Sequence, residues 1–320
     1  MTVAVTGASG FIGAQLCARL VADGLPVRGL SRRHIAADRA PAGVEQLHGF
    51  ELDESTDWGR ALEGCRTLVH AAARAHVLRD RAVDPLKEFM RTNCRGTMRL
   101  AGCARAAGVR RIVFLSSIGV LGNSSHGAPL DEDSPPAPHS PYAVAKREAE
   151  RRLLEFCGSA GIEVVILRLP LVHGPGAKGN FHQLMRTIAL RRWLPLGSIR
   201  NRRSLLGIAN LGTAVTAVVR ANDVPCGIFH LADAETVSTP SIIQELAVGM
   251  GVPPRLGRVP PAALAAAAWL VGKSATAEKL IGDLEVDSRR FQQTFSWRPG
   301  YATSEGLREM AAAFTATGTS

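Results

Sequence analysis

Three glycines, Gly7, Gly10 and Gly13, follow one another at intervals of three residues near the start of the chain. An apolar run, Val3–Thr6, comes directly before them, and a helical pattern, Phe11–Ala22, begins among them. A turn of this kind, from strand into helix, lets backbone N–H groups approach a diphosphate, which the helix N-terminus attracts. The spacing therefore predicts a dinucleotide-binding unit, and a plain glycine-rich turn is the alternative.

Apolar, strand-like runs alternate with helical patterns through the first half of the chain. This order predicts a parallel sheet with helices on both faces, and the strands lack a two-residue alternation, as expected when both faces are covered. A helix over Tyr142–Cys157 and a strand over Val164–Leu169 continue the order. The preceding predicted elements are Val3–Thr6, Phe11–Ala22, Val27–Leu30, Trp58–Leu62, Thr67–His70, Pro85–Ala107 and Ile112–Ser116.

The regular alternation weakens beyond His173, where glycines and a proline precede an arginine-rich region. We therefore expect a dinucleotide-binding domain over residues 1–172, to which the chain returns near residues 208–232. Residues 173–320 would form mainly a smaller, substrate-binding lobe. Within this lobe, the alanine-rich segment Ala262–Ala268 predicts a packed helix.

The composition is that of an ordinary folded protein, since hydrophobic residues make up 46% of the 320 residues and charged residues 21%. The formal net charge is +10, which is compatible with nucleic acid, an acidic surface or phosphorylated ligands. Pairs of arginines such as Arg32/Arg33 and Arg202/Arg203 are spread along the chain, with few aromatic residues between them. This distribution argues against a nucleic-acid partner.

Six cysteines show no C-x-x-C pair and no interleaved histidines, so neither a disulfide framework nor a metal site is predicted. We expect buried, reduced thiols. The N-terminal residues lack the pattern of a secretion signal. The longest apolar stretch, residues 260–272, is shorter than the roughly 20 residues that a bilayer span needs, so we expect no membrane span and a cytoplasmic location.

Ser31, Arg32 and Arg33 stand at the predicted end of the second strand. NAD enzymes often carry an acidic residue there, which holds the ribose hydroxyls, whereas a guanidinium binds the additional phosphate of NADP. The stretch therefore favours NADP(H), and NAD(H) remains possible.

Ser140 and Pro141 predict a helix start, because serine caps free N–H groups and proline suits the first helical position. Tyr142 and Lys146 then lie one turn apart on one face. We expect the ammonium to lower the pKa of the phenol, so that Tyr142 exchanges a proton with a sugar or alcohol oxygen. Alone, the pair is also typical of a solvated helix surface.

Ser116 and Ser117 end an apolar strand, at the edge where open α/β sheets bind ligands. A hydroxyl there can hydrogen-bond the reacting oxygen. Together with the glycine loop and the Tyr142/Lys146 pair, in this order, the serines make the pattern specific.

With these motifs the chain resembles the extended short-chain dehydrogenase/reductases, also called the NAD-dependent epimerase/dehydratase family. The resemblance implies a Rossmann-type, doubly wound α/β fold, chemistry by Ser117, Tyr142 and Lys146, and a homodimer. It favours Ser117 over Ser116. The matching stretches are Thr6–Gly13, His70–Ala73, Asn93–Thr97, Ser116–Ser117, Tyr142–Lys146 and Arg168–Pro175.

The resemblance also implies which residues contact the ligands. For the substrate, a UDP-sugar, these are Ser117, Asn180, Phe181 and Arg203, with Asn180 and Arg203 against the diphosphate. For the cofactor they are Gly7, Ser9, Gly10, Phe11, Ile12, Gly13, Ser31, Arg32, Arg33, Ala71, Ala72, Ala73, Tyr142, Lys146 and Leu169.

Within the family, four stretches resemble the 4-ketoreductases that form UDP-N-acetylquinovosamine for surface polysaccharide such as O-antigen. A UDP-hexose 4-epimerase with tightly bound NAD is the alternative, and Leu121, where many epimerases have tyrosine, weakens it. Ala145 replaces a common serine, and Gly49–Asp53 identifies no adenine contact. A cofactor-binding protein without activity is a third interpretation, which the retained Tyr142 and Lys146 disfavour. The four stretches are Ala71–Val77, Gly179–Phe181, Leu194–Gly197 and Asn201–Leu205.

Overall fold

The computed structural model describes residues 2–36, 40–75, 82–270, 272, 278 and 280–316. Its centre is a seven-stranded parallel sheet of order β3-β2-β1-β4-β5-β6-β9. This confirms the predicted doubly wound α/β fold. The strands are β1 Thr2–Thr6, β2 Val27–Ser31, β3 Val44–His48, β4 Cys65–His70, β5 Arg111–Ser117, β6 Glu163–Leu169 and β9 Gly227–His230.

Helices cover both faces of this sheet. Val3 and Val5 of β1 pack with the helix of Leu16 and the helix of Leu211, whereas Ala4 faces the opposite core. Alternate side chains therefore enter two separate cores, which is why the strands are apolar throughout. The helices are α1 Phe11–Ala22, α2 Gly59–Leu62, α3 Pro85–Phe89, α4 Thr97–Ala106, α5 Pro141–Ala160, α6 Asn180–Ala189, α7 Ile208–Arg220, α8 Thr239–Gly249, α9 Pro261–Leu270, α10 Arg289–Thr294 and α11 Thr303–Ala316, with a π-helix at Met90–Gly96 and a 3-10 turn at Ile118–Val120.

A second, three-stranded sheet of order β10-β8-β7 is formed by β7 Leu171–His173, β8 Arg203–Gly207 and β10 Thr236–Val237. Near it, α6, α8 and α11 share a third core that includes Phe181, Leu246 and Leu307. The chain leaves the large sheet after β6 and returns to it at β9. The division of function between residues 1–172 and 173–320 stays a prediction.

Two sequence-based expectations about this fold are wrong. Cys157 and Cys226 form a disulfide although they are 69 residues apart, because α5 leads directly into β6 and β9 pairs with β6. The other four cysteines are buried free thiols, as expected. The alanine-rich helix α9 is not packed, since none of its residues is buried.

Candidate active site

The glycine turn joins β1 to α1 at the point where strand order reverses, between β1 and β4. Gly7 has a φ of +71°, and a Cβ there would lie 2.9 Å from the backbone nitrogen of Ala72. A Cβ on Gly13 would lie 2.1 Å from the carbonyl oxygen of Gly7. Both positions therefore exclude a side chain, which keeps the turn tight and close to the end of β4.

The N-terminus of α1 presents backbone N–H groups without a side-chain cap. Its N-cap is Gly10, which has no side chain to cap the helix. Ser9 and Gly10 are exposed, whereas Phe11 and Ile12 are half-buried. A cradle of this kind, lined by glycine and open at a helix N-terminus, fits the diphosphate of a dinucleotide.

A buried chain of polar side chains connects β1, β4 and α4 beneath this turn. Thr6 Oγ1 lies 2.7 Å from His70 Nδ1, and His70 Nε2 lies 3.0 Å from Thr97 Oγ1. The N–H of Ala72 donates to Thr6 Oγ1, and Thr97 Oγ1 donates to the carbonyl of Asn93. The Asn93 side chain in turn exchanges two hydrogen bonds with the backbone of Arg74.

The directions of these hydrogen bonds fix the state of His70. Because Thr97 donates its only proton to Asn93, it accepts from His70 Nε2–H, and His70 Nδ1 accepts from Thr6. The ring is therefore neutral, which agrees with burial lowering the pKa of His70 to about 3, with the charge of Lys146 acting in the same direction. This series of hydrogen bonds between uncharged side chains holds Ala71–Ala73 beside Gly7.

Strand β2 ends one residue beyond its predicted end at Leu30. Ser31 is the last residue of the strand, and its hydroxyl donates to the carbonyl of Arg33 at 2.7 Å. Arg32 and Arg33 follow and are exposed, and Arg32 lies 3.7 Å from Glu51. Asp53 caps its own turn, since its Oδ1 accepts from the N–H groups of neighbouring Ser55 and Thr56 at 2.9 and 2.8 Å.

Helix α5 begins as expected, because Ser140 Oγ accepts from the N–H of Ala143 at 3.2 Å and Pro141 occupies the first turn. Lys146 is 2% exposed, and its Nζ donates to the carbonyl of Leu115 at 2.8 Å. The same Nζ lies 4.2 Å from the centre of the Phe114 ring and 6.0 Å from that of Tyr142. The structure therefore brings the phenol and the lysine together between α5 and β5.

The pKa values of this pair differ from the sequence-based expectation. Burial raises the pKa of Tyr142 to about 12, so the expected lowering by the ammonium is wrong for the protein chain itself. Burial also lowers the pKa of Lys146 to about 7, against the opposing effect of Glu150. Desolvation is the largest cause at both groups, because it is unfavourable to charge either of them in a poorly hydrated space. At neutral pH Tyr142 is thus protonated rather than a phenolate.

The two serines at the end of β5 have different surroundings. Ser116 is buried and donates to Glu150 Oε1 at 2.5 Å. Ser117 is half-buried, and its Oγ accepts from the N–H of Gly119 at 3.1 Å, which leaves its own proton available to a ligand. This arrangement agrees with the choice of Ser117 over Ser116. Leu169, the last residue of β6, pairs with Ser117 across the sheet.

Glu150 and Arg168 form a buried ion pair one turn beyond Lys146, and sequence reasoning missed it. Arg168 Nη2 lies 2.8 Å from Glu150 Oε2, and the two side chains are 4% and 3% exposed. Arg168 stands opposite Ser116 in the β5–β6 register. The signal was present in the sequence, since Tyr142, Lys146 and Glu150 are spaced four residues apart on one helix face.

Apart from Ser117, which ends β5, the substrate residues implied by the resemblance lie on α6 and β8. Asn180 is the exposed first residue of α6, and Phe181 is buried. Arg203 begins β8, and its Nη1 donates to the carbonyl of Gly282 at 3.1 Å. Burial lowers the pKa of Arg203. Residues 71–77 form one of the four stretches that resemble the 4-ketoreductases, and residues 76 and 77 of this stretch lie outside the described residues.

A glycine turn open at a helix N-terminus, together with a tyrosine backed by a buried lysine, is what a nicotinamide-dependent α/β enzyme is expected to carry. The chain belongs to the NAD dependent epimerase/dehydratase family, whose profile matches residues 3–232. This confirms the resemblance seen in the motifs.

Relatives and solved structures agree with this assignment. The chain is 33% identical over 320 residues to a UDP-glucose 4-epimerase of Vibrio cholerae, covering 98% of this chain and 95% of the relative. It is 31% identical to a 4-hydroxy-2-methyl-3-oxo-4-farnesyl-3,4-dihydroquinoline-1-oxide ketoreductase of Stigmatella aurantiaca, covering 84% and 79%. A UDP-glucuronic acid 4-epimerase of Bacillus cereus, solved with NAD, has the same fold, with a TM-score of 0.81 at 19% identity and full coverage of both chains.

Proposed function

We propose that the protein is an NADP-dependent 4-ketoreductase that reduces a UDP-4-keto-6-deoxy-hexosamine, in the synthesis of a surface polysaccharide precursor such as that of O-antigen. The observation that carries the proposal is the pair Arg32 and Arg33 directly after β2. Two guanidinium groups at this position favour a cofactor with an additional phosphate. A reductase consumes reduced cofactor at every turnover, which suits NADPH. We expect a homodimer in the cytoplasm.

The cofactor would be held by the glycine turn, the first turn of α1, Ser31–Arg33, Ala71–Ala73 and Leu169. When bound, NADPH supplies a hydride to the keto carbon of the sugar. Tyr142, protonated at neutral pH, donates its proton to the keto oxygen, so that hydride and proton together convert the ketone into an alcohol. The Ser117 hydroxyl would hydrogen-bond the same oxygen and orient it.

Lys146 would act from beneath the tyrosine. Its amine already donates to the carbonyl of Leu115, which fixes its position, and its remaining protons would bind the nicotinamide ribose. Positive charge on this amine would stabilise the phenolate left after proton donation. In the second lobe, Asn180 and Arg203 would bind the diphosphate of UDP, with Phe181 packed behind them.

The first test follows the oxidation of NADPH and NADH by the purified protein with a UDP-4-keto-6-deoxy-N-acetylhexosamine. We expect kcat/KM with NADPH to exceed that with NADH by about tenfold or more, the gain from one good charge-assisted contact. Arg33→Glu should abolish this preference, because a carboxylate repels the additional phosphate. Arg60→Glu, an equally exposed change outside the site, should not. If the wild type has the same kcat/KM with NADPH as with NADH, the NADP assignment is wrong.

Tyr142→Phe tests the proton donor. We expect the rate to fall about 10²- to 10⁴-fold, the usual contribution of a positioned acid, with NADPH binding changed less than twofold. Tyr301→Phe, at the only other tyrosine of the chain, is the matched control and should retain activity. Retained activity in Tyr142→Phe would remove the tyrosine from the mechanism.

A UDP-hexose 4-epimerase with tightly bound NAD is the second candidate. The 33% identity to the Vibrio cholerae epimerase over nearly the whole chain favours it. Both reactions use the same tyrosine, but the epimerase regenerates its cofactor in each cycle. Interconversion of UDP-glucose and UDP-galactose without consumption of NADPH, by protein that retains NAD through purification, would decide for the epimerase.

A further inference from the structure

Helix α9 (Pro261–Leu270) is apolar on all sides and yet exposed. It consists of proline, alanine, leucine and tryptophan, and none of its residues is buried. Trp269 is 72% exposed and Leu270 75%. A helix that is hydrophobic all round normally lies inside a protein or against an apolar surface. The described part of the chain buries none of the residues of α9.

A second exposed apolar group adjoins the segment that leads into α9. Trp193 is 59% exposed and Leu190 56%. Leu194 exchanges backbone hydrogen bonds of 2.8 Å with Arg255 and Gly257. The Trp193 indole lies directly against Gly257, where a Cβ would be 2.3 Å from the ring.

We name the whole of this area the α9 surface. It comprises α9, Leu190 and Trp193, together with the exposed arginines of the two paired segments, Arg191, Arg192, Arg255 and Arg258. It carries exposed tryptophans and leucines together with a set of exposed guanidinium groups.

The charge of the chain is concentrated in the segments that carry the α9 surface. Residues 178–203 and 246–277 contain ten lysines and arginines and no aspartate or glutamate. The chain has 38 basic and 28 acidic residues, so these ten account for its whole excess of +10. The remainder of the protein is electrically balanced. Of these ten residues, Arg191, Arg192, Arg255 and Arg258 belong to the α9 surface. An apolar helix combined with these exposed guanidinium groups is complementary to a surface that is apolar inside and anionic outside.

We propose that the α9 surface docks the protein on an anionic phospholipid membrane. Trp269, Leu270 and Trp193 would enter the boundary between headgroups and acyl chains, where tryptophan is favoured. The arginines would contact the lipid phosphates. Ten helical residues extend about 15 Å, half of the hydrocarbon thickness, so α9 lies on the membrane without crossing it. No helix among the described residues has the length and hydropathy to span a bilayer.

A second copy of the chain is a poorer occupant for this surface. Symmetric pairing would place the α9 surface against itself. Such an interface would bring together eight guanidinium groups, four from each copy, and like charges across an interface disfavour association. A lipid surface covers the same apolar area and neutralises the charge.

Vesicle flotation with the purified full chain tests the proposal independently of any catalytic activity. We expect binding to vesicles of phosphatidylglycerol mixed with phosphatidylcholine, at least tenfold weaker binding to phosphatidylcholine alone, and a decrease with added salt. Trp269→Ser combined with Leu270→Ser should reduce binding at least tenfold by removing the apolar contact. Arg255→Gln combined with Arg258→Gln should reduce binding to the anionic vesicles and make it less sensitive to salt.

The matched control for the arginines is Arg60→Gln combined with Arg105→Gln, which removes the same charge from exposed positions elsewhere and should bind like the wild type. Thermal unfolding of each variant checks that the fold is kept. Absence of binding to anionic vesicles, or equal loss in the control, overturns the proposal. Light scattering would identify a second copy as the occupant if a dimer dissociates in the Trp269/Leu270 variant while no form of the protein binds vesicles.

Discussion

Helices α5 (Pro141–Ala160) and α9 (Pro261–Leu270) distribute their side chains in opposite ways. On α5, Lys146 and Glu150 are each 2% exposed, whereas on α9 the large apolar side chains Trp269 and Leu270 are 72% and 75% exposed. Both helices depart from the usual rule that charged groups stay in water and large apolar groups leave it. The departure at α5 is compensated within the chain, whereas none of the described residues compensates the departure at α9.

The difference shows how an unusual side-chain placement can be interpreted. Glu150 meets Arg168 and Ser116, and Lys146 meets a carbonyl and an aromatic ring, so the buried charges of α5 form a preorganised site. Preorganised groups of this kind serve chemistry because they need no rearrangement during reaction. The apolar side chains of α9 find no comparable partners among the described residues, and the proposed membrane contact would cover them.

Among the substitutions that test this contrast, Glu150→Gln is expected to cause the largest loss of unfolding free energy. The substitution leaves the Arg168 guanidinium buried without its counter-charge, and breaking one side of a buried ion pair costs about 3–5 kcal/mol. Urea unfolding measures the loss. Glu148→Gln is the matched control on the same helix. Glu148 is half-buried and bound to Arg151 and Arg152, hydrogen bonds that lower its pKa to about 2.

We expect Glu148→Gln to cost about 1 kcal/mol or less, as for surface ion pairs. Equal effects of Glu148→Gln and Glu150→Gln would mean that the Glu150–Arg168 pair is hydrated in solution. Glu150 would then not be a buried charge, and the contrast drawn between α5 and α9 would be wrong.

A smaller effect concerns the pH dependence of stability at Lys146. Its folded pKa of about 7 lies below the ordinary value of 10.5, so between these values the unfolded chain binds a proton that the folded chain does not. Stability from this group is therefore complete above pH 10.5 and is lost as the pH falls toward 7. The difference in unfolding free energy between wild type and Lys146→Met should change by about 1.4 kcal/mol per pH unit within this window.

Denaturant unfolding of the two proteins between pH 7 and pH 9 measures this slope, and taking the difference cancels the other titrating groups. A slope of zero would mean that Lys146 keeps its ordinary pKa in the folded protein. The amine would then be in contact with water.

The smallest effect is expected at α9. Trp269→Ala should change the unfolding free energy by about 0.5 kcal/mol or less, because an exposed side chain contributes little to folding. Trp297 is 6% exposed, packs within the core and donates to Thr213 at 2.9 Å. Trp297→Ala should therefore cost about 3–5 kcal/mol. A large loss in Trp269→Ala would show that α9 is covered by the chain itself.

Local signals allowed much of the fold and the cofactor turn to be predicted. The glycine spacing gave the strand-to-helix turn because only residues without a Cβ fit at Gly7 and Gly13. Ser140 and Pro141 gave the start of α5, since capping depends on neighbouring residues alone. Hydrophobic patterning placed the end of β2 at Leu30, one residue before its observed end at Ser31.

The remaining features depend on residues that are far apart in the sequence. Local sequence patterns therefore could not predict them. The partner of Cys157 is brought near by pairing of β6 with β9, which the cysteine spacing does not record. The pKa of Tyr142 follows from its burial, a property of the packed fold rather than of the Tyr-Lys spacing. The exposure of α9 was missed because an alanine-rich pattern predicts a helix without saying what covers it.

The spacing along α5 constrains the length of the helix as well as its composition. Tyr142, Lys146 and Glu150 share a stripe because each interval is close to one full turn. One residue inserted between Lys146 and Glu150 would rotate the carboxylate by about 100° around the helix axis, away from β6 and toward another environment. Insertions and deletions in this segment should therefore be tolerated far less than amino-acid replacements on the outward side of the same helix.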